Sequence, residues 1–227
     1  MYLSPNFDNF ECLDSTQIDA LLSDIFWGGS DISDYEKGLK FLKKNDPVFS
    51  ELYAKLGYLN QRKRAANFST FVSTIVGQQL SGKAAETIFN RLLDVVENDL
   101  QPRNIISIEK SKLRQVGISK AKVSYILSMA EQFYSGVIDL EILNNNEDAE
   151  LYKSLTAIRG IGPWSAKIIM LFNFQRLDAF PFGDVTLEKA FEELWEKPID
   201  HLQSNVKNWS PYSGIVAMYM WSYMDMK

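Results

Sequence analysis

Three groups of residues in this chain have types and spacing suited to chemistry. The first is "LTAIRGIGPWSAKIIMLF", Leu155 to Phe172, where Gly160, Gly162 and Pro163 separate two helical patterns. The first helix should end near Ile158. Gly160 and Gly162 permit positive φ or close backbone approach, and Pro163 suits the first turn of a second helix, where its missing N–H costs nothing. Such a turn presents backbone N–H groups at a helix N-terminus. That is an anion site needing no charged side chain, and a duplex backbone offers phosphates to it. An ordinary tight helix–helix connection would have the same sequence.

The second group is a single carboxylate, Asp184, 22 residues after Gly162 in "FPFGDVTLEKAF". Read alone, it is an N-cap for the helix "VTLEKAFEELWEK". The third is a band of positive charge. Net charge is −5 overall, yet residues 61 to 126 hold 11 Lys and Arg (Arg62, Lys63, Arg64, Lys83, Arg91, Arg103, Lys110, Lys112, Arg114, Lys120 and Lys122) against 5 acids. The first 60 residues hold 5 basic and 10 acidic side chains. A solvated helix face produces such a run, and so does a phosphate-binding surface on an otherwise acidic protein.

What the chain lacks is equally informative. Cys12 is its only cysteine, which excludes an internal disulfide, a cysteine-based zinc site and a four-cysteine iron–sulfur cluster within the chain. His201 is the only histidine, and no partners for a Ser-His-Asp triad stand near it, so it reads as a surface residue. No apolar run approaches a membrane span, and "MYLSPNFDNFECLD" lacks the basic-then-apolar order of a secretion signal. The expectation is an intracellular protein without membrane attachment.

The elements that must position these groups are helices. In "SGKAAETIFNRLLDVVEN", Ala84, Ala85, Ile88, Phe89, Leu92, Leu93 and Val96 recur at i, i+3, i+4, with Ser81 as N-cap. "DYEKGLKFLKK", "DPVFSELYAKLG", "NFSTFVSTIVGQQ", "KVSYILSMAEQF" and "EDAELYKSLTAI" carry similar spacing. No stretch sustains period-2 alternation, so the fold class is all-α. Breaks are expected at Asn98 to Asn104, Gly136 to Ile142, Asn144 to Asp148, and across "RLDAFPFGD".

Together the glycine hairpin and the distant aspartate resemble the helix-hairpin-helix (HhH-GPD) DNA glycosylases, and among them the DNA-3-methyladenine glycosylase II branch. "IVGQQLSGKAAETIFNRL" is similar to the family's segment leading to the lesion-side loop. "KLRQVGISKAKVSYILSMA" resembles its second backbone-contacting turn, and "WSPYSGIVAMYMW" its C-terminal helix. The likeness spans roughly residues 38 to 223. It implies a two-lobed fold: a helical bundle, residues 66–175, containing the hairpin at about 147–175, packed on a lobe built from residues 1–65 and 176–227.

By this resemblance Asp184 is the catalytic aspartate, stabilising the cationic sugar that forms as an N-glycosidic bond breaks and orienting the incoming water. Bifunctional relatives carry a Schiff-base lysine two residues after the second hairpin glycine; here that position is Trp164, and Lys167 lies one turn further on. The resemblance therefore implies a monofunctional enzyme that leaves an abasic site. Gln79, with Leu80 second, occupies the place of the side chain that fills the gap left by an extruded base. Trp164 and Tyr212 match positions where aromatic faces meet that base, and a ring face attracts a cationic alkylpurine. Gly160, Gly162 and Ser165 of the hairpin, with Gly117 and Lys120 of the second turn, would hold the DNA backbone. The main-chain carbonyls of Thr156, Ile158 and Gly160 would hold a structural Na+ or K+. Where the family often has arginine after the tyrosine, this chain has Ser213.

The expected function is excision of alkylated purines such as 3-methyladenine and 7-methylguanine from damaged double-stranded DNA. The protein would act as a monomer without an iron–sulfur cluster, in the cytoplasmic nucleoid of a prokaryote or the nucleus of a eukaryote. The alternatives are a glycosylase for a neutral lesion, hypoxanthine or uracil, and a non-catalytic helix-hairpin-helix DNA-binding module.

Overall fold

The computed structural model describes residues 32–60 and 63–227. Cys12 and Arg62 lie outside the described residues. Those described form helices joined by short turns, with one 3-10 turn at Ile199–His201 and no strand among them.

Local signals set the helix starts. Proline occupies the first turn of Pro47–Leu56 and of Pro163–Phe172. Asn67 and Thr70 close a capping box on Phe68–Gly77. Ser81 accepts a hydrogen bond from the Ala84 N–H at the start of Gly82–Val95, and Ser119 from the Lys122 N–H at the start of Lys120–Tyr134. Three short helices lie where the sequence pattern indicates breaks or nothing. Pro102–Ser107 begins inside the break at Asn98 to Asn104, Leu140–Asn145 overlaps those at Gly136 to Ile142 and Asn144 to Asp148, and Lys110–Gln115 precedes the Gly117 turn. Each has six residues, under two turns, so a 3.6-residue period cannot register. Packing holds them, through buried Ile105, Leu113 and Leu143.

Phe68–Gly77 packs against Gly82–Val95, Lys120–Tyr134 and Pro163–Phe172, while Pro102–Ser107 lies on Lys120–Tyr134. The C-terminal helix Ser213–Asp225 packs against Ile32–Asn45, Pro47–Leu56, Val185–Trp195 and Leu202–Trp209. Two helices are buried nearly all round: Pro163–Phe172, from Ser165 to Phe172 except Lys167, and the C-terminal helix from Ser213 to Met220. A helix enclosed on every side cannot slide, so whatever stands in its first turn is fixed in place.

A carboxylate joins the two ends of the chain. Asp46 caps Pro47–Leu56 by accepting from the Phe49 N–H at 3.0 Å, and its Oδ2 accepts the indole N–H groups of Trp195 at 2.9 Å and Trp209 at 2.6 Å. Trp195 and Trp209 stack into a cluster with Phe180 and Phe191.

Candidate DNA-binding and catalytic site

The hairpin is built from Asp148–Ala157 and Pro163–Phe172. Gly160 takes φ +95, and a Cβ there would stand 2.6 Å from the Tyr125 ring, so both the conformation and the space demand glycine. Of the two reasons expected for glycine, Gly162 does not show positive φ. Its φ of −86 and ψ of 179 are extended backbone open to any residue. A Cβ there would meet nothing within 4 Å. The glycine keeps open space in front of the helix N-terminus, where no side chain caps the helix. The first intrahelical bond runs from the Ala166 N–H to the Gly162 carbonyl at 2.9 Å, which leaves the N–H groups of Trp164 and Ser165 before it as donors for an anion.

Ser165 can meet a phosphate only through its backbone. Its side chain is buried and its Oγ accepts the Gln78 amide at 3.1 Å, so only its backbone N–H is available to a phosphate. The same amide donates to the Gly160 carbonyl at 2.7 Å. Gln78 thereby clasps the hairpin to the turn that follows Phe68–Gly77. Beside it, Gln79 is exposed at φ +58, and Leu80 is half-buried.

Lys122 corrects the reading of the basic band. Counted in the basic band, its ammonium instead turns inward and donates to the carbonyls of Val76 at 2.8 Å and Gln78 at 2.6 Å. Burial lowers its pKa below the ordinary lysine value. Arg114 likewise turns to the Ile118 carbonyl at 2.9 Å, bracing the turn at Gly117, whose φ is +106. Gly117 and Lys120 themselves are exposed.

Asp184 caps Val185–Trp195, its Oδ1 accepting from the N–H groups of Thr186 at 2.9 Å and Leu187 at 3.1 Å. Its Oδ2 accepts the indole N–H of Trp164 at 3.0 Å. The N-cap reading and the resemblance thus meet in one residue, whose second oxygen is steered by the first turn of the buried hairpin helix. The sequence reading missed this bond; it gave Trp164 as an aromatic face and as the residue in the lysine position. Lys167 sits over the Tyr152 ring, 5.2 Å from Nζ to the centroid, across the hairpin.

Tyr212 is not joined to this pair. Its ring packs 5.6 Å from Phe41 and lies where a side chain at Gly38 would have to go. Ser213 is fully buried; Asp178 takes its backbone N–H at 3.1 Å and its hydroxyl donates to the Asp178 carbonyl at 3.1 Å. An arginine could not occupy that place without displacing the start of the C-terminal helix. Phe182 and Val185, on either side of Asp184, are exposed apolar residues.

Among the described residues no group of three His, Cys, Asp or Glu side chains could hold a metal ion. No helix among them is long and apolar enough to cross a membrane.

Residues 72–208 match the model of the HhH-GPD superfamily of base excision DNA repair proteins, and the chain belongs to that family. The crystal structure of a DNA-3-methyladenine glycosidase from Bacillus halodurans is similar with a TM-score of 0.71 and 33% identity, over 80% of this chain and 86% of that one. The Schizosaccharomyces pombe 3-methyladenine DNA glycosylase in complex with abasic DNA has a TM-score of 0.74 and 26% identity, over 82% of this chain and 95% of that one. A Bacillus subtilis relative is 28% identical over 70% of this chain, which spans 59% of that protein's length.

Proposed function

We propose that this protein is a monofunctional DNA glycosylase that hydrolyses the N-glycosidic bond of alkylated purines flipped out of duplex DNA, leaving an abasic site. The observation that carries the proposal is the Asp184 carboxylate, pinned by the Trp164 indole at the mouth of the hairpin. Two relatives with solved structures are named for 3-methyladenine, one of them bound to abasic DNA. Oδ1 is committed to the helix cap, so Oδ2 is the oxygen left to face a developing sugar cation. The hairpin N–H groups grip the backbone and Gln79 enters the gap. A 3- or 7-alkylated purine already carries the charge that makes it leave, which suits a site with one carboxylate and no histidine nearby.

The test is to incubate the protein with methylated DNA and chromatograph the released bases. Free 3-methyladenine and 7-methylguanine are expected, faster than hypoxanthine from an inosine duplex; the reverse order favours a neutral-lesion enzyme. With Trp164 in the lysine position and Lys167 on Tyr152, borohydride should trap no covalent adduct, and strand breaks should need alkali or heat. A robust adduct would refute monofunctional chemistry.

A structural Na+ or K+ would be held by neutral carbonyl oxygens, those of Thr156, Ile158 and Gly160. The Ile158 carbonyl already accepts the Ile161 N–H at 2.9 Å and the Gly160 carbonyl accepts Gln78 at 2.7 Å, each keeping one lone pair for an ion. If an ion is required, exchanging K+ for tetramethylammonium should weaken duplex binding. The protein would act as a monomer on double-stranded DNA, wherever its cell keeps the genome.

A further inference from the structure

The turn from Gly77 to Ser81 ends the helix Phe68–Gly77 with a left-handed residue whose side chain faces outward. Gln79 holds φ +58 although it is not glycine, and its side chain is exposed. Glycine or asparagine is usual at such a helix end; four other non-glycine residues among those described take positive φ, and what sets Gln79 apart is the bonding on both sides of it. On one side the Gln78 amide is bonded to the Gly160 carbonyl and Ser165 Oγ. On the other the Lys122 ammonium is bonded to the carbonyls of Val76 and Gln78.

Val76 and Gln78 end the helix Phe68–Gly77, where carbonyls lack intrahelical donors and a cation is favoured. A single capping bond would satisfy the helix end. Lys122 does more, because its two acceptors bracket Gly77 and fix the direction in which the chain leaves the helix. Gln78 then registers that exit against the hairpin. The result is an exposed glutamine tied through two residues to the phosphate-gripping turn.

We propose that Lys122 is a positioning residue for strand insertion, fixing the turn that presents Gln79 to the gap, with Gln78 locking that turn to the hairpin. The proposal rests on the reading of Gln79 as the inserting side chain, and it does not depend on which base is excised. Fixing the turn beforehand matters because insertion must offset the cost of unstacking, and a mobile turn would add its own ordering cost.

The test uses the full chain and binding alone, so failure of the excision assay cannot disguise its result. One duplex carries a tetrahydrofuran abasic analogue with 2-aminopurine opposite; the other is undamaged. Wild type should prefer the abasic duplex and change 2-aminopurine emission as the side chain enters the stack. Lys122→Met should lose roughly tenfold of that preference, one partner of a charge-assisted pair of hydrogen bonds, and most of the emission change, while undamaged duplex binds within about twofold of wild type. Lys122→Arg, which keeps a cationic donor, should restore most of both. Gln78→Leu, which spares Lys122, should reproduce the loss and serves if Lys122→Met unfolds on melting.

A wild-type preference and emission change in Lys122→Met overturn the proposal. So does an equal loss on both duplexes, which would make Lys122 a backbone contact or a general fold element. Gln79→Ala separates the two levels: if it keeps the full preference and signal, the insertion reading itself fails, whatever Lys122→Met does.

Discussion

Asp46 and Asp184 are the same device used twice. Each is an N-cap, each accepts backbone N–H with Oδ1, and each accepts indole N–H with Oδ2. The difference is occupancy. Oδ2 of Asp46 is taken by two indoles, Trp195 and Trp209, inside an aromatic cluster. Oδ2 of Asp184 is taken by one indole, beside exposed Phe182 and Val185. A capped, indole-bonded aspartate is therefore no functional signature. A buried carboxylate whose second oxygen serves one donor instead of two retains acceptor capacity.

The comparison breaks most sharply with asparagine at each position. Asp184→Asn keeps an N-capping oxygen and removes a negative charge facing DNA. Excision should fall by roughly 10² or more, about 2.7 kcal/mol, while duplex affinity holds or rises. Asp46→Asn turns its amide nitrogen toward two indole N–H groups where Asp184→Asn turns it toward one, and each orphaned buried N–H costs about 1–3 kcal/mol. Thermal unfolding should show a loss of roughly 2–4 kcal/mol, with the excision rate per folded molecule within about twofold of wild type. Loss of excision in the Asp46 variant at full folding would erase the distinction.

A second pair lies in the hairpin. Gly160→Val must abandon φ +95 and meets Tyr125 at 2.6 Å, so it should cost roughly 2 kcal/mol or more in melting and weaken DNA binding with it. Gly162→Val has allowed backbone and open space. It should melt like wild type yet weaken lesion and plain duplexes alike, because the branched side chain screens the N–H groups. A loss confined to lesion DNA would move the turn into the base pocket.

Smaller effects sharpen the role of the indole. Trp164→Phe keeps a ring and loses the donor to Asp184, and excision should fall about tenfold with duplex affinity unchanged. No change would mean the carboxylate is held well enough by its cap. Tyr212→Leu preserves volume and apolarity, and should hurt cationic bases more than neutral ones by about 0.5–2 kcal/mol. Equal losses would assign Tyr212 to packing on Phe41, where its ring already lies.

Much of this site was legible before any coordinates, because the signals are local. Caps, the first-turn prolines and the strained Gly160 are decided within one helical turn, and they place the hairpin and Asp184 correctly. The family resemblance supplied the catalytic reading of Asp184, which its N-cap chemistry alone does not contain. Gly162 is half legible: neither its backbone angle nor its surroundings demand glycine, which instead leaves the helix N-terminus uncovered. Lys122 is not legible as an inward group, since a basic run looks the same whether a given lysine faces water or a carbonyl.

What sequence by itself determined is the all-α character, the starts of the longer helices and the glycine–proline hairpin, each a property of residues a few positions apart. The tertiary structure alone decided the pairings. Gln78 reaches Gly160 across 82 positions, Lys122 reaches Val76 across 46, and Asp46 reaches Trp209 across 163. Separations of that length are closed by the packing of whole helices, which fixes where each polar group arrives and which partner it finds. No periodicity along the chain carries that information, so the bond from the Trp164 indole to the second oxygen of Asp184 exists only once the packed helices bring the two residues together.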